Sequence, residues 1–237
     1  MWNKLFPFLG LLLALVVLRC SDEWFAREPD IAAIHAENAQ HDRERAAALP
    51  ADFVVPETFA DMLIAIEKLT GSKPVPFVGE RDGATPVPTP GFAFAMKDET
   101  RAKALADTAS VLFHPKGFSL FAYNSGAGLG PSYVVAWPER QPFAAIERVG
   151  TTGGMMGPDP ADVATWFRDL EKEQPFVISE IERDVVGGRF LTALRDPASL
   201  AKRFNDFCPD IVRQGTRSVH ALEVELRESR HLYCWWD

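Results

Sequence analysis

The sequence predicts an α+β fold: a mixed or mainly antiparallel sheet with helices packed on one face, preceded by an N-terminal hydrophobic segment. Three observations lead to this prediction. Apolar runs of strand length alternate with amphipathic helical patterns across residues 91–237. Asp159-Pro160 and Asp196-Pro197 each mark a helix start, because an acid caps a helix and proline suits its first turn. Short connections between neighbouring strands favour hairpins over parallel crossovers, which is typical of this class.

Each element has its own local signal. Six apolar segments are predicted to be strands: 92–96, 118–123, 133–137, 175–182, 189–194 and 231–236. A short helix is expected at 142–148, and further helices are expected after the capping residues Thr58, Asp98, Asp159, Asp196 and Ser218. Gly187-Gly188 separates two of the strands and predicts the turn of a β-hairpin. The strand at 231–236 would be held by its hydrogen bonds, so the chain could end there without fraying.

The chain divides into three predicted regions. Residues 1–20 are a signal or membrane anchor. Residues 21–90 form a solvated helical spacer, a second helix and a proline-rich extended connector. Residues 91–237 form the α+β domain.

The N-terminal region has the layout of an export signal or signal anchor. The run from Leu5 to Leu18 carries no charged side chain, follows Lys4 and stops at Arg19. Cys20 comes directly after this and is a candidate lipidation site, although Arg19 stands where bacterial lipoproteins carry a small residue. A lipoprotein and an uncleaved anchor both place the domain at the cell membrane facing the periplasm, since the basic flank stays inside. The membrane is therefore an expected partner.

Charge and cysteine content limit the other partners. The formal net charge is -8 and the sequence pI is about 5.2, which argues against nucleic acid because like charges repel. The three cysteines include no Cys-x-x-Cys pair, so no metal site is expected. No cofactor motif is present, and no cofactor is expected. Cys208 and Cys234 could be joined in an oxidising compartment or remain two buried thiols.

One part of the sequence is the best candidate for a binding surface. Pro209 must stop a helix, which leaves Cys208 and Asp210 at a turn, followed by Gln214 and Gly215. We expect the terminal Trp235, Trp236 and Asp237 to lie beside this 207–216 corner, where an exposed tryptophan would be a natural binding anchor. Core packing of both tryptophans is the alternative role.

Catalytic roles for the same residues are alternative hypotheses. Cys208 could act as a nucleophile with a histidine, for which His114, His220 and His231 are candidates. An acid pair of Asp210 and Asp237 is the other possibility. Nothing in the spacing of these residues selects one arrangement.

Two stretches resemble a known family. The first comprises Phe207-Cys208-Pro209-Asp210, Gln214-Gly215-Thr216 and the terminal Trp235-Trp236-Asp237. The second is the glycine turn, helix and strand of residues 150–178. On these motifs the sequence resembles the bacterial family of the domain of unknown function 4253. The resemblance implies an α+β domain at the C-terminus and implies no activity.

These observations favour a non-enzymatic, membrane-tethered domain that binds a protein or a small ligand. A hydrolase-like enzyme using Cys208, or Asp210 with Asp237, is the first alternative. An immunity-type protein that blocks a toxin is the second, because the acidic charge would suit a basic target.

Overall fold

The fold is α+β with a mixed sheet, as predicted. A computed structural model describes residues 30–79, 87–124, 131–152 and 157–237. These residues form a seven-stranded sheet in the order β1-β2-β4-β3-β5-β6-β7. Every neighbouring pair of strands is antiparallel except β3 and β5, which run parallel. Two antiparallel halves therefore meet at one parallel junction.

The strands are β1 (Val75–Gly79), β2 (Val87–Met96), β3 (Ser119–Asn124), β4 (Ser132–Trp137), β5 (Phe176–Ile181), β6 (Val185–Phe190) and β7 (His231–Trp235). The α-helices are α1 (Ile31–Ala48), α2 (Phe59–Thr70), α3 (Glu99–Phe113), α4 (Phe143–Val149), α5 (Pro160–Glu173), α6 (Pro197–Phe207) and α7 (Val219–Ser229). A 3₁₀ turn follows α3 at His114–Lys116, and a π-helical turn at Ile211–Thr216 lies between α6 and α7.

Helices cover both faces of the sheet, and not one face as we expected. Along β3, Leu120 and Ala122 pack with α2 and α3, whereas Phe121 and Tyr123 pack on the opposite face with α4 and α5. All six residues of β3 are buried. A strand buried on both sides reads as a continuous apolar run, and that pattern alone could have predicted two helical layers.

The hairpin between β5 and β6 turns five residues earlier than the sequence suggested. Its turn lies at residues 182–184, and Gly187 and Gly188 lie inside β6. A Cβ on Gly188 would lie 2.0 Å from the carbonyl oxygen of Val177. Glycine is required here by the close approach of β5, which bulges between Ile178 and Glu180, and not by a turn.

Part of the region before residue 91 is built into the same fold. Helix α2 places Met62 and Ile66 in the core, and β1 extends the sheet beside β2. Proline is tolerated in β1 because this is an edge strand. Helix α1 buries none of its residues, as a solvated helix should, yet it lies against α3 and α7.

The predicted anchor at residues 1–20 and the candidate lipidation site Cys20 lie outside the described residues. Within the described ranges, none of the helices combines the length and the hydropathy needed to traverse a lipid bilayer.

Candidate functional site

The terminal residues do meet the 207–216 corner. The backbone N–H of Asp237 donates to Oδ2 of Asp210 over 3.2 Å, and Nε2 of Gln214 donates to Oδ2 of Asp237 over 3.2 Å. The indole N–H of Trp236 donates to the carbonyl of Phe207 at 3.2 Å. These three hydrogen bonds hold the corner to residues 236 and 237, which directly follow β7.

The seven predicted site residues differ in accessibility. Cys208 and Trp236 are 0% and 3% exposed, so neither can touch a partner. Asp210 and Trp235 are half-buried, while Gln214, Gly215 and Asp237 are exposed. The buried pair supports the corner, and only the other five residues can form a contact surface.

The surroundings of Cys208 do not resemble a nucleophile with a base. Its sulfur lies 2.7 Å from the carbonyl oxygen and 2.9 Å from the nitrogen of Trp235. A hydrogen bond with Cys234 lowers the pKa of Cys208, while burial raises the pKa of Cys234 well above its usual range. His231 points away, because Leu232 and Cys234 share the core face of β7 and residue 231 alternates with them.

A second site lies on the other face of the sheet. Helices α1, α3 and the end of α7 enclose a cleft of about 290 Å³ over β5, β6 and β7. Its lining comprises Ile34, Glu37, Asn38, His41, Glu44, Arg45, Thr100, Lys103, Ala104, Asp107, Ser179, Glu180, Arg189, Glu225, Ser229 and His231. We call it the α1–α3 cleft. The sequence did not predict it.

One end of the α1–α3 cleft is a lysine surrounded by three carboxylates. Nζ of Lys103 lies 2.9 Å from Glu99, 2.9 Å from Glu180 and 3.9 Å from Glu182. Burial lowers the pKa of Lys103, but the charge and hydrogen bond of Glu180 outweigh it, so the pKa is raised overall. Burial, followed by the charge of Glu180, raises the pKa of Glu182 to about 7.

Two residues of the sheet shape this end. Gly187 faces Glu180, since a Cβ there would lie 3.0 Å from Oε2 of Glu180 and 3.6 Å from the ring of Tyr233. The missing side chain leaves room for the carboxylate. Burial and then Glu180 raise the pKa of Tyr233 to about 12, so its phenol stays protonated.

The middle of the cleft is an aspartate shared by two arginines. Oδ2 of Asp107 lies 3.2 Å from Nη1 of Arg45 and 2.7 Å from Nη2 of Arg189. Arg45 comes from α1, Asp107 from α3 and Arg189 from β6. The ion pairs therefore join the exposed helix to the sheet.

Glu225 is the charged group that the cleft leaves unpaired. Its carboxylate makes no hydrogen bond or ion pair with any described residue, and burial, together with the charge of Glu37, raises its pKa. The neighbouring ring of His231 stacks on Tyr233 at 5.8 Å, and burial lowers the pKa of this histidine.

The charges of the cleft do not cancel. Five acidic and three basic residues line it among the described part of the chain. Arg45, Lys103 and Arg189 are each bonded to an acid within the protein. The cleft therefore offers uncompensated negative charge. No group of three histidine, cysteine, aspartate or glutamate side chains in the described residues could hold a metal ion.

A signal for the cleft was present in the sequence. The apolar segments predicted as β5 and β6 contain Ser179, Glu180 and Arg189, which are polar residues within buried strands. Charged side chains are seldom buried unless they are paired. Each of these strands therefore needed polar partners from another element, which the sequence alone could not identify.

The comparison with known families agrees with the family resemblance of the sequence. Residues 133–237 match the model of the domain of unknown function DUF4253.

This C-terminal part is a DUF4253 domain.

The match covers four of the seven strands, β4 to β7, together with the 207–216 corner. The DUF4253 match begins after α3, so α1 and α3 lie outside it while β5 to β7 lie inside. No curated protein and no solved structure matches the chain significantly.

Proposed function

We propose that the protein is a non-enzymatic binding domain and that the α1–α3 cleft receives a small organic cation carrying an ammonium or guanidinium group. The observation that carries this proposal is the unpaired carboxylate of Glu225 in a cleft whose own cations are already bonded. Glu225 is partly buried, and a partly buried carboxylate without a partner costs free energy that a bound cation would relieve.

The size and lining of the cleft support a small ligand. A volume of about 290 Å³ lies at the lower end of small-molecule sites. Ile34 and Ala104 provide apolar surface between the charged groups. This combination suits a short aliphatic chain with a cationic end.

Isothermal titration calorimetry with three matched five-carbon probes tests the proposal. Pentanediamine is expected to bind, whereas the neutral pentanediol and the anionic glutarate are not. Glu225→Gln should weaken diamine binding about tenfold or more, because a charge-assisted hydrogen bond contributes on the order of 1.5–3 kcal/mol.

Glu139→Gln is the matched control, since Glu139 is exposed and remote from the cleft lining. It should bind the diamine like the unmodified protein. Equal binding of all three probes, no heat with the diamine, or equal affinity of the Glu225→Gln protein would each contradict the proposal.

We also propose that residues 1–20 tether the domain to the cell membrane on the periplasmic side. The uncharged run from Leu5 to Leu18 and the adjacent Cys20 support this. Cell fractionation should find the protein with membranes. Cys20→Ala should release it if the attachment is a lipid and leave it in place if residues 1–20 span the membrane. Recovery of the unmodified protein in the soluble fraction would refute the tether.

The exposed part of the corner is our proposed contact surface for a protein partner. Gln214 and Asp237 are exposed and joined by a hydrogen bond, and the half-buried Trp235 ends β7 shortly before Asp237, so a partner could contact these side chains. A photocrosslinker at position 214 should give a crosslinked product in cells that the same group at position 139 does not give. Identical products from both positions would reject this surface.

A further inference from the structure

Cys208 and Cys234 lie next to one another across the corner. Cys208 follows the last residue of α6, and Cys234 is in the middle part of β7. The sulfur of Cys208 is 2.9 Å from the backbone nitrogen of Trp235, which is covalently attached to Cys234. The two side chains therefore start within a few ångströms of each other.

Both side chains point into the same buried cluster. Cys208 and Cys234 are each 0% exposed and pack in the core between the sheet and α6. Cys234 faces this core together with Leu232 and Trp236. The hydrogen bond between the two thiols lowers the pKa of Cys208, whereas burial, followed by the same hydrogen bond, raises the pKa of Cys234. Cys208 is therefore the thiol that ionises first and attacks a disulfide.

We propose that Cys208 and Cys234 form a site of oxidative modification, in which a disulfide-bearing oxidant converts the two thiols into an intramolecular disulfide. The thiolate of Cys208 attacks one sulfur of the oxidant, and a mixed disulfide forms as the first oxidant thiol leaves. The sulfur of Cys234 then displaces the second oxidant thiol. Two protein thiols and one oxidant disulfide give one protein disulfide and two oxidant thiols, so atoms and electrons balance.

The burial of both sulfurs decides when the reaction occurs. An oxidant cannot reach either sulfur in the closed structure, because neither side chain is exposed. The reaction proceeds while the chain folds, or when the edge strand β7 separates from the corner. The product joins α6 to β7 and closes a loop that contains all of α7.

Refolding under defined redox conditions tests the site. All proteins carry Cys20→Ala, so that only Cys208 and Cys234 remain. The protein is unfolded and refolded with oxidised and reduced glutathione, then denatured and treated with a maleimide polymer that adds mass to each free thiol. We expect a monomer with no free thiol, a Cys208–Cys234 linkage by peptide mass spectrometry, and a Tm several degrees above that of the reduced form.

Two comparisons make the result specific. The same oxidant added to folded protein should react far more slowly than during refolding. Cys208→Ser and Cys234→Ser should each leave one thiol that is free or joined to glutathione.

Three outcomes would overturn the proposal: two free thiols after oxidising refolding, disulfide-linked dimers in place of the internal bond, or an oxidised monomer with a lower Tm than the reduced one. The parent protein with both cysteines gives these readouts even if a serine variant fails to fold.

Discussion

At the scale of single residues, Glu182 has the most unusual environment of the three carboxylates that surround Lys103. Its side chain is 15% exposed and its Oε1 is buried without a hydrogen bond, 3.9 Å from Nζ of Lys103. Burial and the charge of Glu180 outweigh the attraction of Lys103, which gives a pKa of about 7. This carboxyl therefore changes its charge within the physiological pH range.

Glu182→Gln should change how stability depends on pH. The pKa of Glu182 is raised from 4.5 when unfolded to about 7 when folded, so unfolding releases a proton between these values. Stability from this group is complete below about pH 4.5 and is lost as the pH rises through 7. The glutamine variant should be more stable than the parent by on the order of 2 kcal/mol at pH 8 and equal to it at pH 4. Urea denaturation at both pH values measures the difference; a constant difference would contradict the assignment.

Gly188→Ala should be one of the most damaging small substitutions. Its Cβ would lie 2.0 Å from the backbone oxygen of Val177, and a backbone atom cannot move away as a flexible side chain can. We expect a loss of about 3 kcal/mol or more in the free energy of unfolding. Gly215→Ala is the control, because a Cβ there meets nothing within 4 Å, and its stability should change by less than ~0.5 kcal/mol. Similar losses in both variants would refute the packing argument.

At the scale of elements, α1 is held by polar contacts and not by a buried face. It contains no buried residue. Arg45 pairs with Asp107, the hydroxyl of Thr108 donates to the carbonyl of Arg45, and His35 lies 3.2 Å from Glu228. The His35–Glu228 pair is exposed and contributes little, and the helix adds no buried apolar side chain, so it should open more readily than the helices of the core.

Hydrogen exchange detected by mass spectrometry should show this difference. Peptides covering Ile31–Ala48 are expected to exchange faster than peptides covering Phe59–Thr70, which bury Met62 and Ile66. Arg45→Ala should accelerate exchange in α1 further and leave α2 unchanged. Equal protection of both helices, or an effect of Arg45→Ala that spreads to α2, would contradict the weak attachment of α1.

The elements also show how far sequence reasoning reaches. Helix starts were predicted correctly where one side chain caps the backbone: Thr58, Asp98, Asp159, Asp196 and Ser218 each accept a hydrogen bond from an N–H two or three residues later. These capping signals depend only on residues that are close in the sequence, so they can be recognised without knowing the tertiary structure. The meeting of the 207–216 corner with Asp237 was also expected from the sequence.

What the sequence did not reveal depends on contacts between distant segments. Gly187 and Gly188 resemble a turn until the bulge of β5 is known. The α1–α3 cleft joins Arg45, Asp107 and Arg189, which lie on three separate elements. Their pairing depends on how α1 packs against α3 and α7, which no local sequence pattern indicates.

At the scale of the whole molecule, one core connects the two halves of the sheet. The cluster that contains Phe77 and Val135 in the first half continues through Phe176 and Leu232 to Trp236 in the second. A core that is shared in this way makes the halves unfold together. Loss of packing at one end should therefore lower the stability of the whole molecule.

Trp236→Ala tests this coupling. The indole is buried, packs edge-on against Phe207 at 5.5 Å and donates to its carbonyl, so the substitution should lower the free energy of unfolding by about 3–5 kcal/mol. Circular dichroism and tryptophan fluorescence should give one coincident transition at a lower denaturant concentration. Trp235→Ala is the control. Its ring is only half-buried, so this substitution should lower the free energy of unfolding by less than Trp236→Ala does. Two separate transitions in the parent protein would show that the halves are independent.

The single parallel junction has a consequence for how the chain reaches this structure. The antiparallel neighbours β5 and β6 are joined by three residues, whereas β4, α4 and α5 separate β3 from β5 along the chain. Pairing Ala122 with Glu180 requires closing that long loop. The entropy of loop closure is lost before the contacts between β3 and β5 can stabilise the pairing. The hairpins can form early, but we expect the pairing of β3 with β5 to limit the folding rate. Substitutions along β3 and β5 should therefore slow folding, while those in the peripheral helices should mainly speed unfolding.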